Sequence, residues 1–173
     1  MKVILSGGGT GGHIYPALTI ADQIKKLQPE AEISFVGTQQ GLEKDIIPRY
    51  GYPLQFIEVA GFKRSLSLDT LRSAGKLFAG LYDAYQIIKK EKPDLVIGTG
   101  GYVCGPIVFM AALHGIPCCI QEQNAMPGVT NKILAHYVRK VFLGYKEAGK
   151  EFSGTAELED TGNPIRTESL EHT

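Results

Sequence analysis

Short apolar runs alternate with longer stretches of helical spacing along almost the whole chain. The strand-like runs are Lys2–Ser6, Glu32–Gly37, Leu54–Val59, Leu95–Gly98, Cys118–Gln121 and Lys140–Leu143. Helical patterns cover Ile14–Leu27, Leu42–Tyr50, Leu68–Lys90, Pro106–His114, Val129–His136 and Lys146–Phe152. The runs are rich in Val, Ile and Leu and show little polar alternation, so both faces of such strands need apolar cover. Strands separated by helices then predict a doubly wound α/β domain around a parallel sheet, Rossmann-like in class. Ligands of that class sit outside the carboxyl ends of the strands.

Three polar or glycine-rich turns fall at those ends. They are Gly7-Gly8-Gly9-Thr10-Gly11-Gly12-His13, Thr99-Gly100-Gly101-Tyr102 and Glu122-Gln123-Asn124. Glycines there make tight turns, and they also let backbone approach a ligand. The N–H groups at a helix start favour a phosphate or pyrophosphate. His13 adds a group able to move a proton near neutral pH. Together the turns predict one crevice for a phosphorylated substrate.

Composition narrows the choice. A chain of 173 residues fits one domain with a full core. Eighteen basic residues balance eighteen acidic ones, so no global charge supports a nucleic-acid partner. Cys104, Cys118 and Cys119 make no disulfide framework and lack ligand spacing for a metal. No metal or cofactor is expected, and a reducing cytosolic compartment is. No apolar run approaches the length of about 20 residues that a spanning helix needs, so membrane contact is expected to be peripheral.

The pattern Gly7-x-Gly9-x-x-Gly12 matches the dinucleotide fingerprint. That fingerprint also wants an acid at the end of the second strand to hold a ribose. Here the strand runs into Val36-Gly37-Thr38-Gln39-Gln40, and the first acid is Glu43, placed in the next helix. A nicotinamide enzyme is thus disfavoured. No Gly-Lys-Ser/Thr follows, which excludes a P-loop.

The segment Gly7–Pro16 resembles the N-terminal motif of the MurG glycosyltransferases. Gly98–Pro106, Gln121–Asn124 with Gly128–Lys132, and Thr161–Arg166 match further motifs of that family, in its order and spacing. The resemblance covers nearly the whole chain. It implies the N-terminal half of the two-domain GT-B architecture. Residues 1–164 are expected to form the acceptor-binding domain and 165–173 the start of a linker or a tail. The C-terminal donor domain is expected to be absent, leaving this half inactive alone. A natural half-enzyme with a separate donor subunit and a non-catalytic nucleotide- or lipid-binding module stay as alternatives.

The resemblance also implies chemistry. The family transfers N-acetylglucosamine from UDP-N-acetylglucosamine to lipid I, undecaprenyl-pyrophosphoryl-N-acetylmuramoyl-pentapeptide, for peptidoglycan synthesis. It acts at the cytoplasmic face of the bacterial membrane, with inversion. His13 is then a base or a phosphate partner. Glu122 competes as general base, or is a structural hydrogen-bonding group. Thr10, Gly11, Gly12, Gly101, Gln123, Asn124 and Arg166 are expected to contact substrate. Tyr102 either covers the acceptor or is a packed aromatic.

The long helical pattern from Leu68 carries apolar residues over about half its circumference. Lys63, Arg64, Arg72 and Lys76 lie beside Leu77, Phe78 and Leu81. An ordinary core helix with a basic rim fits that pattern. The resemblance instead favours a patch for an anionic membrane surface.

Overall fold

The computed structural model describes residues 1–59 and 68–166. Among these residues, seven parallel strands form one sheet in the order β3-β2-β1-β4-β5-β6-β7. The strands are β1 (Lys2–Gly7), β2 (Glu32–Gly37), β3 (Leu54–Phe56), β4 (Leu95–Gly100), β5 (Cys118–Glu122), β6 (Lys140–Leu143) and β7 (Glu157–Asp160). The helices are α1 (Gly11–Leu27), α2 (Glu43–Arg49), α3 (Leu68–Glu91), α4 (Cys104–Leu113) and α5 (Val129–Leu134). The chain runs outward from β1 to β3, then returns to lay β4 on the other side of β1. The order therefore switches direction between β1 and β4, where this class opens its crevice.

Successive strand residues point to opposite faces, and both faces are covered. Val3 and Leu5 pack with Ile14, Leu18 and Phe35 on one side. Ile4 packs with Val96, Ile107 and Ile120 on the other. This two-sided burial is why the runs lack polar alternation.

Between β1 and β4 the ladder slips. Ser6 pairs with Gly98 and Gly7 with Gly100, leaving Thr99 as the extra residue. Such a bulge bends the strand and re-aims its side chain. The Cys104 thiol closes the slip by donating to Ser6 O at 2.8 Å. Burial pushes the Cys104 and Cys119 thiols up to about 11 and Cys118 up to about 12, as expected of packing cysteines.

Several boundaries differ from the sequence reading. Helix α1 starts at Gly11 rather than Ile14, so Gly11 and Gly12 belong to its first turn. Strand β4 runs on to Gly100, and β3 ends at Phe56. Lys146–Glu151 is a 3-10 helix. Strand β7 was not expected: Glu-Leu-Glu-Asp has no apolar face, and all four residues are exposed. It is an edge strand, with Lys140 of β6 paired to Glu159 at 2.8 Å and Glu157 at 3.5 Å. Charge on an edge strand hinders pairing with other chains.

Among the described residues, no helix is long and apolar enough to cross a membrane.

Candidate functional site

The glycine loop and the turn after β4 interlock. Gly8 N donates to Gly100 O, and a Cβ on Gly101 would strike Gly8 O. A Cβ on Gly7 would strike the Thr99 hydroxyl. These glycines are needed because two loops meet there, before any ligand enters. The start of α1 is left open: no side chain caps it, and no acid occupies its first turn. A helix of 17 residues then presents its N–H groups and the positive end of its dipole to the crevice.

His13 sits in that first turn. Its ring packs on Gly100, where a Cβ would lie 2.5 Å from Cδ2 and 2.9 Å from Nε2. Nδ1 lies 3.1 Å from Gly8 O. A carbonyl only accepts, so Nδ1 carries the proton in this arrangement and Nε2 keeps a free lone pair. Thr10 Oγ1, 3.4 Å from Nδ1, is a weaker second neighbour. His13 lines a cleft of ≈ 300 Å³ with Gly100, Gly101, Tyr102, Glu122, Asn124 and the start of α5. Of the residues singled out from sequence, the cleft gathers His13, Gly101, Tyr102, Glu122 and Asn124. Thr10, Gly11 and Gly12 flank it at the helix start.

Glu122 is only 2% exposed. Its Oε1 accepts from Asn124 N (3.1 Å) and Asn124 Nδ2 (3.2 Å). Its Oε2 accepts from Gly128 N (3.2 Å) and Asn131 Nδ2 (2.9 Å). Four donors on a buried carboxylate make it the anchor of the β5–α5 loop. Gln123 turns away from the cleft: its Nε2 donates to Thr99 O at 2.6 Å and Gln121 Oε1 at 2.5 Å. Asn124 stays exposed. Tyr102, 51% exposed, is no packed core aromatic. It lines both the polar cleft and an apolar groove of ≈ 230 Å³ between α3, α4 and α5.

Arg166 is not brought to the cleft. It pairs with Asp22 Oδ2 at 3.2 Å and stacks 4.4 Å from the Tyr50 ring centroid. Asp22 lies about three turns along α1 from Gly11, roughly 16 Å away.

Sequence reasoning missed the role of Glu43. It is 1% exposed and accepts from Gly9 N, Thr38 N and Thr38 Oγ1, each at 2.9 Å. Gly8, Gly37 and Gly41 all pack against it, so a Cβ on any of them would collide with the carboxylate. Glu43, the first acid after β2, is turned under the glycine loop and not outward to the crevice. Three glycines clustered around one acid were the available signal. Gly37 and Gly41 lie just before Glu43 in the chain, while Gly8 is remote and joins them only in the fold.

Along α3, Leu71 (73% exposed), Phe78 (71%) and Tyr82 share a solvent-facing stripe. Arg72 and Lys76 are exposed beside it. Leu77 and Leu81 turn into the apolar groove with Phe109 and Ile133. Lys63 and Arg64 lie outside the described residues.

Residues 3–143 match the glycosyltransferase family 28 N-terminal domain. The UDP-N-acetylglucosamine–N-acetylmuramyl-(pentapeptide) pyrophosphoryl-undecaprenol N-acetylglucosamine transferase of Acetivibrio thermocellus is 56% identical over 99% of this chain and 46% of its own length. The Clostridioides difficile protein of that name is 53% identical over 98% of this chain and 42% of its own. The chain thus spans about half the length of these curated relatives. The crystal structure of Acinetobacter baumannii MurG superposes with a TM-score of 0.75 at 31% identity, covering 91% of this chain and 44% of that one. A UDP-GlcNAc 2-epimerase from Neisseria meningitidis shares the fold at a TM-score of 0.69 and 13% identity. With the match extending over most of the chain and reaching from β1 to β6, this protein belongs to the glycosyltransferase family 28 N-terminal domain family.

Proposed function

We propose that residues 1–164 are the acceptor half of an inverting N-acetylglucosaminyltransferase. Its donor is UDP-N-acetylglucosamine and its acceptor undecaprenyl-pyrophosphoryl-N-acetylmuramoyl-pentapeptide, the molecules in the relatives' names. The observation that carries this reading is the His13 geometry. A free Nε2 lone pair stands on a cleft beside an uncapped helix start. One side holds a proton acceptor and the other suits a pyrophosphate.

In this reading the muramoyl 4-hydroxyl gives its proton to His13 Nε2. Its oxygen bonds to the anomeric carbon of N-acetylglucosamine as the bond from that carbon to UDP breaks, and UDP leaves with the electron pair. The N–H groups of Thr10, Gly11 and Gly12 stabilise phosphate charge. Gly101 keeps the cleft wall low, Tyr102 covers the acceptor, and Asn124 contacts the sugar. Glu122, held by four donors, positions Asn124 and does not take the proton. Gln123 and Arg166 serve as struts. Most of the nucleotide pocket would come from a donor half, whether joined in the same chain or separate. Alignment of donor with acceptor is the large term in such a rate, so this half alone is inactive.

The exposed stripe of α3 and the neighbouring Arg72 and Lys76 face an anionic membrane surface in this proposal. They keep the domain at the cytoplasmic face, where the lipid-linked acceptor is. The test joins this segment to the remaining half of the Acetivibrio thermocellus relative and measures sugar transfer. Transfer by the joined protein, with loss on His13→Ala, is expected. Near-native turnover of the His13 variant would sink the base assignment.

A further inference from the structure

We infer that Asn163 is a positioning residue for the candidate site, tying the segment that leaves β7 to the turn carrying Gln123 and, through Thr99, to His13. The inference rests on the proposed role of His13.

Asn163 is an exposed residue with both ends of its amide engaged. Its Oδ1 accepts from Gln121 Nε2 at 3.1 Å, and its Nδ2 donates to Gln123 O at 3.1 Å. The orientation is forced: a flipped amide would set donor against donor and acceptor against acceptor. Gly144, just after β6, makes the space, since a Cβ there would collide with the Asn163 side chain. Gln121 is buried, and its Oε1 accepts from Gln123 Nε2. The same Nε2 donates to Thr99 O. Thr99, the bulge residue of β4, donates its hydroxyl to His13 O at 2.6 Å.

These bonds cross the carboxyl ends of β5, β4 and β1 in order. The Gln123–Thr99 bond passes from the β5 end to the β4 end, and the Thr99–His13 bond passes on to the first turn of the helix after β1. Thr99 fixes the backbone of His13, and Gln123 fixes both Thr99 and the turn that ends in Asn124. Asn163 closes the set from outside the sheet. Removing it releases one hold on the Gln121 side-chain amide and one on the Gln123 carbonyl, and so loosens the turn whose Gln123 amide reaches Thr99. The His13 ring then loses its fixed seat on Gly100 while the core stays packed.

The test uses two variants that break one contact from opposite sides, Asn163→Ala and Gly144→Ala. In the 173-residue chain, nitrogen NMR reads the side-chain amides of Gln121 and Gln123 and the ring nitrogens of His13. Both variants should shift all three sets and leave core amides such as Phe35 in place. In the joined two-domain enzyme, each should lower kcat about tenfold with KM unchanged. Unchanged His13 ring resonances in both variants overturn the inference, even if transfer falls. A His13→Ala enzyme that still transfers sugar overturns the base role instead, and the resonances alone then decide whether Asn163 positions the turn.

Discussion

The polar cleft shares Tyr102 with the apolar groove under α3, and the cleft and the exposed stripe of that same helix are built in opposite ways. The cleft is held by buried polar groups with fixed partners: Glu43 under the glycine loop, Glu122 under the Asn124 turn, and Thr99 under His13. The α3 face has Leu71, Phe78 and Tyr82 in solvent with no such scaffold. A buried carboxylate tolerates little change, because losing it strands several donors at once. An exposed apolar stripe is adaptable, and each residue contributes a modest, additive share of area. In the proposed function, chemistry that needs atoms in register falls on the rigid region, and association with a membrane surface on the permissive one.

The largest expected effect tests the rigid side. His13→Ala in the joined enzyme should cut kcat by roughly 10² to 10⁴, the range for a general base. The folded state should be unchanged by circular dichroism. Next comes Glu43→Ala, which leaves the Gly9 and Thr38 N–H groups and a hydroxyl without their acceptor. Urea denaturation should show a loss of about 3 kcal/mol. A loss near zero would mean the loop holds itself. On the permissive side, Phe78→Glu should weaken binding to anionic vesicles about tenfold in co-sedimentation while leaving the urea midpoint unmoved. Equal binding would remove the membrane face from the proposal. Lys140→Ala, at the exposed β6–β7 edge, should leave the midpoint unchanged, since surface pairs contribute little.

Alkaline pH probes the rigid side again. Cys104, Cys118 and Cys119 have folded thiols pushed up to about 11 or 12 from an ordinary 9.0. The unfolded chain gives up those protons first. Stability from this source is complete below pH 9 and falls as pH rises toward 12. A urea midpoint that stays flat between pH 9 and 11 would show that the β5 floor opens to solvent.

Much of the fold was legible because strand and helix periodicity is a local property. Six of the strands and the order of the helices could be read from runs such as Val3-Ile4-Leu5 and from the Leu68–Lys90 pattern. Strand β7 could not, because Glu-Leu-Glu-Asp pairs by backbone alone at an edge. Helix starts were misplaced for a related reason. Gly11 and Gly12 are poor helix formers, and they are helical because the loop–loop contact and Glu43 fix the turn before them.

The sequence by itself determined the class of sheet, the three turns at its carboxyl ends and the residues in them, because these follow from spacing along one chain. Only the tertiary structure decided their roles. Gly8 N meets Gly100 O, and Glu43 meets Gly9, across loops remote in sequence. His13 keeps its Nε2 free because its Nδ1 faces a carbonyl held in place by both contacts. Glu122 and Gln123, neighbours in the chain, part company for the same reason: alternate strand-end residues point to different partners, one into the β5–α5 loop and the other toward Thr99. Partner identity is a property of distance in space, and composition and periodicity carry no record of it.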